Sequence, residues 1–239
     1  MRISQLIIIF SLLLFYNCEQ ELNGDLLLDK AIAYHDPDNH WSTLKDSLLV
    51  VMETPNQSNR VSRLYINLPD DQFYVKATRD TLSTEYIVKG DSCTIKLNGE
   101  ETISEADLLA NNLSCERATM YKNYYTYLYG LPMKLKDPGT NIDPVIETKT
   151  FKGKEYLVLK ASYDKEVGTD VWFFYFDPGT YAMEIYQFYK TDENGEMLPD
   201  SGEYILLTEE TLVSGIKMPK VRAWYYNKDD KYLGTDVLN

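Results

Sequence analysis

Histidine is almost missing from this chain: His35 and His40 are the only two in 239 residues. A Ser-His-Asp triad would have to recruit one of them, and no G-x-S-x-G elbow supplies the serine. Walker loops, G-x-G-x-x-G turns and H-E-x-x-H helices are missing too, so the common routes to nucleotide and zinc chemistry are closed. No apolar run reaches the ~20 residues that a membrane-crossing helix needs. Positive charge is short as well. Lys and Arg number 24 against 37 Asp and Glu, a net charge of −13, which repels phosphate backbones and argues against nucleic acid as a partner. We read this acidity as solubility rather than substrate choice.

The few special residues are placed informatively. The longest apolar stretch, from Leu6 to Tyr16 and interrupted by Ser11, follows Met1-Arg2 and ends at Asn17-Cys18. A basic start, a short apolar core and a terminal cysteine resemble a bacterial lipoprotein signal peptide. The residues before the cysteine are an imperfect lipobox, with Leu14 at −4 and Phe15, Tyr16 and Asn17 at −3 to −1. An ordinary cleaved secretion signal is the alternative, but the small residues it prefers at −3 and −1 are missing. We expect residues 1–17 to be the signal, Cys18 to be lipidated, and 18–24 to form a polar tether. Localisation is then the bacterial cell envelope, on the outer-membrane or periplasmic side. Two or more acyl chains would hold the protein firmly, each buried CH₂ contributing ~0.8 kcal/mol.

Cleavage before Cys18 leaves 222 residues and a net charge of −14. That length suits one all-β barrel or sandwich, and 44% apolar residues suffice for a core. Twenty Tyr, eight Phe and three Trp favour strands. Cys93 and Cys115 are the remaining cysteines. In an oxidising compartment they can form a disulfide, and two buried free thiols are the alternative.

Along the chain, Asp25 can cap a helix through His35 that Asp36-Pro37 ends. Short or alternating apolar runs then predict strands over 48–54, 60–68, 72–78, 84–88 and 92–97, an antiparallel meander. Asn98-Gly99 is a hairpin dipeptide. Two helices follow, over 104–110 and 114–130, with Ser104 and Ser114 as N-caps and Gly130-Leu131-Pro132 as a stop. The second carries Met120, Tyr124, Tyr127 and Leu128 on one stripe and Tyr121, Tyr125 and Tyr129 on another, which leaves little of it to face water. Either it packs between elements or it lines a ligand cavity. Strands return over 145–151, 155–163, 169–176, 181–189, 204–209 and 217–226. The run from Val171 to Phe176 is apolar at every position, so both its faces must be covered. The expectation is one domain, 25–239, of ten or eleven strands with helices grouped at two places.

The sextet His35-Asp36-Pro37-Asp38-Asn39-His40 puts two imidazoles and two carboxylates close together. Its spacing fits no familiar zinc pattern, and a helix end followed by a proline turn accounts for the same residues. We assign no metal, no cofactor and no catalytic residue. Carboxylate-pair hydrolysis stays open, because acids are plentiful and their pairing in space is invisible here.

Several phrases together resemble a family of uncharacterised lipoproteins common in Bacteroidota, to which the LolA/LolB lipoprotein-carrier fold is related. They are Ala33-Tyr34-His35-Asp36-Pro37 with Trp41, Asn123-Tyr124-Tyr125 running into Gly130-Leu131-Pro132-Met133-Lys134-Leu135-Lys136-Asp137-Pro138-Gly139, Tyr175-Phe176-Asp177-Pro178, Gly215-Ile216-Lys217-Met218-Pro219, and Leu233-Gly234-Thr235-Asp236-Val237-Leu238. The resemblance implies a mainly β (α+β) fold: a strongly curved antiparallel sheet, an incomplete β-barrel, with helices covering its concave side. It also implies a non-enzymatic protein that binds a lipid, acyl chain or other hydrophobic small molecule in the concavity. A soluble carrier should not itself be anchored, so Cys18 makes the chain look like a receptor-type member or another lipid-binding lipoprotein. The cavity residues we expect are Met120, Tyr124, Tyr127, Leu128, Leu131, Trp172 and Phe174. Two rivals stand beside this: a structural or partner-binding lipoprotein with a filled core, its protein partner unknown, and a hydrolase using acidic pairs or His35/His40.

Overall fold

The computed structural model describes residues 21–239, so the signal-like segment, Cys18 and the start of the tether lie outside the described residues. Helix α1 (Gly24–His35) is capped by Asn23, whose side chain accepts from the Leu26 N–H at 3.0 Å. The cap is therefore two residues earlier than the expected Asp25, which instead sits in the first turn, where a carboxylate complements the helix dipole. Gly24 is obligatory: a Cβ there would lie 2.1 Å from the Asp143 carbonyl. Leu27, Leu28 and Ala31 are fully buried.

The first meander is β1 (Lys45–Thr54), β2 (Gln57–Asn67), β3 (Gln72–Arg79), β4 (Leu82–Lys89) and β5 (Ser92–Leu97). Asn98 and Gly99 both take positive φ, as the hairpin dipeptide predicts, but the returning chain makes one bridge (Leu97 to Glu100) and then leaves. It forms α2 (Glu105–Ala110) and α3 (Cys115–Gly130), capped by Ser104 and Ser114. A 3₁₀ turn at Met133–Lys136 leads to β6 (Thr140–Ile142), β7 (Glu147–Phe151), β8 (Lys154–Tyr163), β9 (Val171–Phe176) and β10 (Met183–Tyr189). β11 (Glu203–Val213), β12 (Ile216–Tyr226) and β13 (Tyr232–Leu238) complete the chain. The sheet thus has 13 strands among the described residues, more than the ten or eleven expected. Sequence reading missed β6 and β13. β6 is only three residues long. β13 matters more, because it pairs with both β1 and β12 and so joins the two meanders into one antiparallel sheet.

The order runs β5-β4-β3-β2-β1-β13-β12-β11-β10-β9-β8, with β6 and β7 sharing the far side of β8. The sheet does not close, and it is strongly curved. Helix α1 touches both β8 and β12, four strands apart. More tellingly, β3 and β9 are seven strands apart and would lie roughly 34 Å from each other in a flat sheet at ~4.8 Å per strand, yet two residues of one helix, ~10–12 Å across, reach both. Helix α3 lies inside that curve, with Tyr125 stacked on Phe73 of β3 and Tyr127 against Trp172 of β9. The sequence expectation of an incomplete barrel with helices on its concave side holds.

The main core fills the concavity between the sheet and helices α1 and α3. A second cluster lies on the outer face, where Phe173 and Tyr175 meet Tyr156 and Ile185. That explains the all-apolar β9. Its outer rings are covered by Phe151 of β7 and by the stem of Lys149, whose ammonium sits 4.9 Å over the Phe173 ring.

Candidate functional site

Helix α3 does not run buried along its whole length. Glu116, Thr119 and Met120 face water, while Tyr125, Leu128 and Tyr129 are buried. The N-terminal end is tied to the sheet edge by a disulfide between Cys93 of β5 and Cys115, with Cα atoms 5.8 Å apart. Tyr121, Tyr125 and Tyr129 stack on one another and on Tyr86 and Phe73, which fills the half of the concavity over β3 and β4. The other half stays open.

There a cleft of about 440 Å³ runs between α3 and the strands β9 to β13. Its helix wall is Tyr124, Tyr127 and Leu128, and its sheet wall is Trp172, Phe188 and Trp224. Strand register explains the grouping. Trp172, Phe188 and Glu203 are direct cross-strand partners and share one face of the sheet. Phe174, Tyr186, Ile205, Trp224 and Gly234 form the next row on that face. Trp172 stacks on Phe188 at 4.9 Å, and Tyr124 on Trp224 at 6.4 Å. Tyr186, fully buried, contacts both tryptophans from below. Met52, Thr54, Leu233 and Gly234 close the far end, and Asp170 and Glu203 stand among the lining residues.

A second, more polar cleft of about 660 Å³ adjoins the first and shares Tyr124, Tyr127, Asp170 and Trp172 with it. It adds Asn123, Thr126, Tyr163 and Glu166, and the Lys134–Asp137 ion pair. The Tyr127 and Tyr163 hydroxyls are hydrogen-bonded to each other. Burial drives the Tyr127 phenol well above its ordinary range and pushes Tyr163 up to about 12, so both stay neutral.

Beside the apolar cleft runs a row in which Met52 separates Arg60 from Asp236 and Arg222, each opposite the next, with Asp236 and Arg222 buried. Asp236 accepts from Trp224 Nε1 at 3.2 Å, which fixes that ring in the wall. Arg222 donates to the carbonyls of Pro219 and Leu128 and lies 4.0 Å over the Tyr129 ring, tying β12 to the buried end of α3. Burial raises the Asp236 pKa, opposed by the charges of Arg222 and Arg60.

The sequence profile described as a family of unknown function, DUF6503, matches residues 4–238. The chain belongs to that family. No curated protein matches it by sequence. Among solved structures it is similar to a LolA superfamily protein from Nitrosomonas europaea, at 10% identity and a TM-score of 0.55, over 91% of this chain and 92% of that one. A DUF1329 family protein from Desulfovibrio piger is similar at 10% identity and a TM-score of 0.50, over 90% of this chain and 91% of that one. These likenesses establish the LolA-like fold of this DUF6503 member and no more.

Of the seven expected cavity residues, the cleft brings together Tyr124, Tyr127, Leu128 and Trp172. Three are elsewhere. Met120 is 50% exposed, on the side of the helix opposite the fully buried Ala118. Leu131 and Phe174 are buried in the core behind the cleft, with 2% and 0% exposure. Sequence reasoning missed Phe188, Trp224, Asp170 and Glu203. The two rings were visible as aromatic residues of expected strands, but only the register places them beside Trp172.

The histidine cluster does not converge. His35 is buried, with Nδ1 2.8 Å from the Lys217 carbonyl and Nε2 accepting from the Met183 N–H at 2.9 Å. Both ring nitrogens are thus committed to main chain, and Nδ1 must carry the proton. Asp36 accepts from the His40 and Trp41 N–H groups at 2.7 and 2.8 Å. These residues pin the end of α1 to β10 and β12; their arrangement is that of a structural turn.

Proposed function

We propose that this protein is a binding lipoprotein of the bacterial cell envelope, anchored through Cys18, that holds a lipid, acyl chain or similar apolar molecule. The observation that carries the reading is the aromatic cleft between α3 and β9–β13. Its volume of about 440 Å³ falls in the ~300–1,000 Å³ typical of small-molecule sites, and aromatic and aliphatic side chains supply most of its lining. Each CH₂ taken from water into such a cleft contributes about 0.8 kcal/mol. The same half-barrel scaffold in a LolA superfamily protein, and the resemblance to the carrier family, support the assignment. Among the described residues no group of three or more metal-ligating side chains gathers, and the role proposed is binding. The anchor ties any ligand to exchange at the membrane surface.

Native mass spectrometry of the protein purified from its host tests the binding role. We expect co-purifying apolar molecules that a Trp172→Ala variant retains poorly. Wild-type protein that carries no such molecule, and binds no hydrophobic dye, refutes the reading. Membrane fractionation of a Cys18→Ala variant tests the anchor, and retention in the membrane fraction would rule it out.

A further inference from the structure

The charge pattern around the cleft says what kind of head group its ligand should carry. Neither Lys, Arg nor His is among its lining residues, whereas two carboxylates are, Asp170 and Glu203. In the adjoining polar cleft the one lysine, Lys134, is already ion-paired with Asp137, and Glu166 stands nearby. No guanidinium reaches the lining of the cleft. Arg222 is 1% exposed and engaged with two carbonyls and the Tyr129 ring, and Arg60 donates to the Tyr125 hydroxyl. An anionic head would therefore meet two acids and no cation among the lining residues of the cleft.

The aromatic walls point the same way. Trp172 with Phe188, and Trp224 with Tyr124, are two stacked pairs whose ring faces attract positive charge. Glu203 lies directly across from Phe188 in the sheet register. Asp170 sits two residues before Trp172 and belongs to both clefts, at the junction of the apolar and polar spaces. Burial raises the pKa of each carboxyl, opposed among the described residues only by the charge of Lys190, which is exposed and outside the cleft. Two partly desolvated acids beside π-faces form an environment that a cation relieves.

We propose that the cleft selects an apolar molecule with a cationic head, an alkylammonium or quaternary ammonium group. Its chain lies along Leu128 and Met52, and its head stands between the tryptophan faces and the carboxylates of Asp170 and Glu203. This rests on the binding role proposed above and names the ligand class for it.

The test is a titration of the full chain with dodecyltrimethylammonium, dodecyl maltoside and dodecanoate, below their micelle concentrations, followed by calorimetry and tryptophan fluorescence. The cation should bind about tenfold more tightly than the maltoside, equivalent to ~1.4 kcal/mol, and dodecanoate more weakly than either. Raising the salt concentration should narrow the gap. In an Asp170→Asn/Glu203→Gln protein the ratio of cation to maltoside affinity should fall towards one. Equal affinity of cation and maltoside for the wild type, tightest binding of dodecanoate, or an unchanged ratio in the double variant overturns the head-group assignment and leaves the apolar site standing. If none of the three binds, the binding role itself fails, and this proposal with it. The comparison on unaltered protein decides even where the double variant folds poorly.

Discussion

Replacing His35 gives the sharpest test of how the helix α1 junction is held. Its ring donates through Nδ1 to the Lys217 carbonyl and accepts through Nε2 from the Met183 N–H, at 2.8 and 2.9 Å. A leucine of similar size removes both bonds and strands two main-chain groups beneath a residue that is 1% exposed. Each stranded group costs ~1–3 kcal/mol, so His35→Leu should lose about 4 kcal/mol of stability. His35→Gln, whose amide can both donate and accept, should lose less. Protonation supplies an independent readout. Burial lowers the His35 pKa, although the bond to Lys217 and the charge of Glu210 oppose it. Below pH ~6.5 the unfolded histidine takes up a proton that the folded one refuses. The unfolded state then binds more protons, so stability falls as the pH drops, by up to ~1.4 kcal/mol per unit. Asp170, Glu203 and Asp236 have raised pKa values and act in the opposite direction, but they are common to both proteins and cancel in the difference. Urea unfolding followed by tryptophan fluorescence at pH ~7.5, ~6 and ~5 should show the gap between wild type and His35→Gln closing as the pH falls. A gap that stays constant over that range refutes the buried, neutral imidazole.

The Cys93–Cys115 bond closes a loop with a sequence separation of 22, and its reduction should cost about 3 kcal/mol through the freed unfolded chain, measurable by urea unfolding with and without reductant. Phe174→Ala and Trp172→Ala should separate core from cleft: Phe174 is fully buried, so its loss costs ~3–5 kcal/mol, whereas Trp172→Ala should weaken dye binding at a smaller cost in stability. Equal melting shifts for the two would contradict that division.

Most of the elements were legible because period and punctuation agreed. Ser104 and Ser114 cap their helices as read, since a hydroxyl before a helical run satisfies its free N–H groups wherever it lies. β5 was read to the residue, framed by Gly90-Asp91 and Asn98-Gly99. The site was only half legible. Helix periodicity identifies a stripe such as Met120, Tyr124, Tyr127 and Leu128, but not the depth at which each turn lies. Met120 is left in water while Leu128, about two turns on along the same stripe, is inside. Nor could the sequence pair Trp172 with Phe188 and Glu203, because that row depends on registers fixed by two separate turns. β13 was hidden for a related reason: Gly234 and Asp236, both weak strand formers, sit in the middle of it.

Those same two residues show why one half of the concavity stays open. Gly234 pairs with Trp224 across the β12–β13 ladder, and a Cβ on it would lie 2.6 Å from the Glu53 carbonyl. No side chain can grow there to fill the space beside the indole. Asp236 holds that indole in place from the next position on the same face. On the other half, Tyr121, Tyr125 and Tyr129 supply the bulk that the cleft lacks. The void therefore follows from a bare backbone facing a fixed ring, and it should be closable from the β1 side. Met52 lies opposite Asp236 and lines the far end of the cleft. Met52→Trp would project a third indole into the gap where Gly234 offers nothing, at a packing cost of ~1–3 kcal/mol. Dye and detergent binding should be lost while the far-ultraviolet circular dichroism spectrum is kept. Binding that persists in Met52→Trp at wild-type affinity would place the ligand outside the cleft.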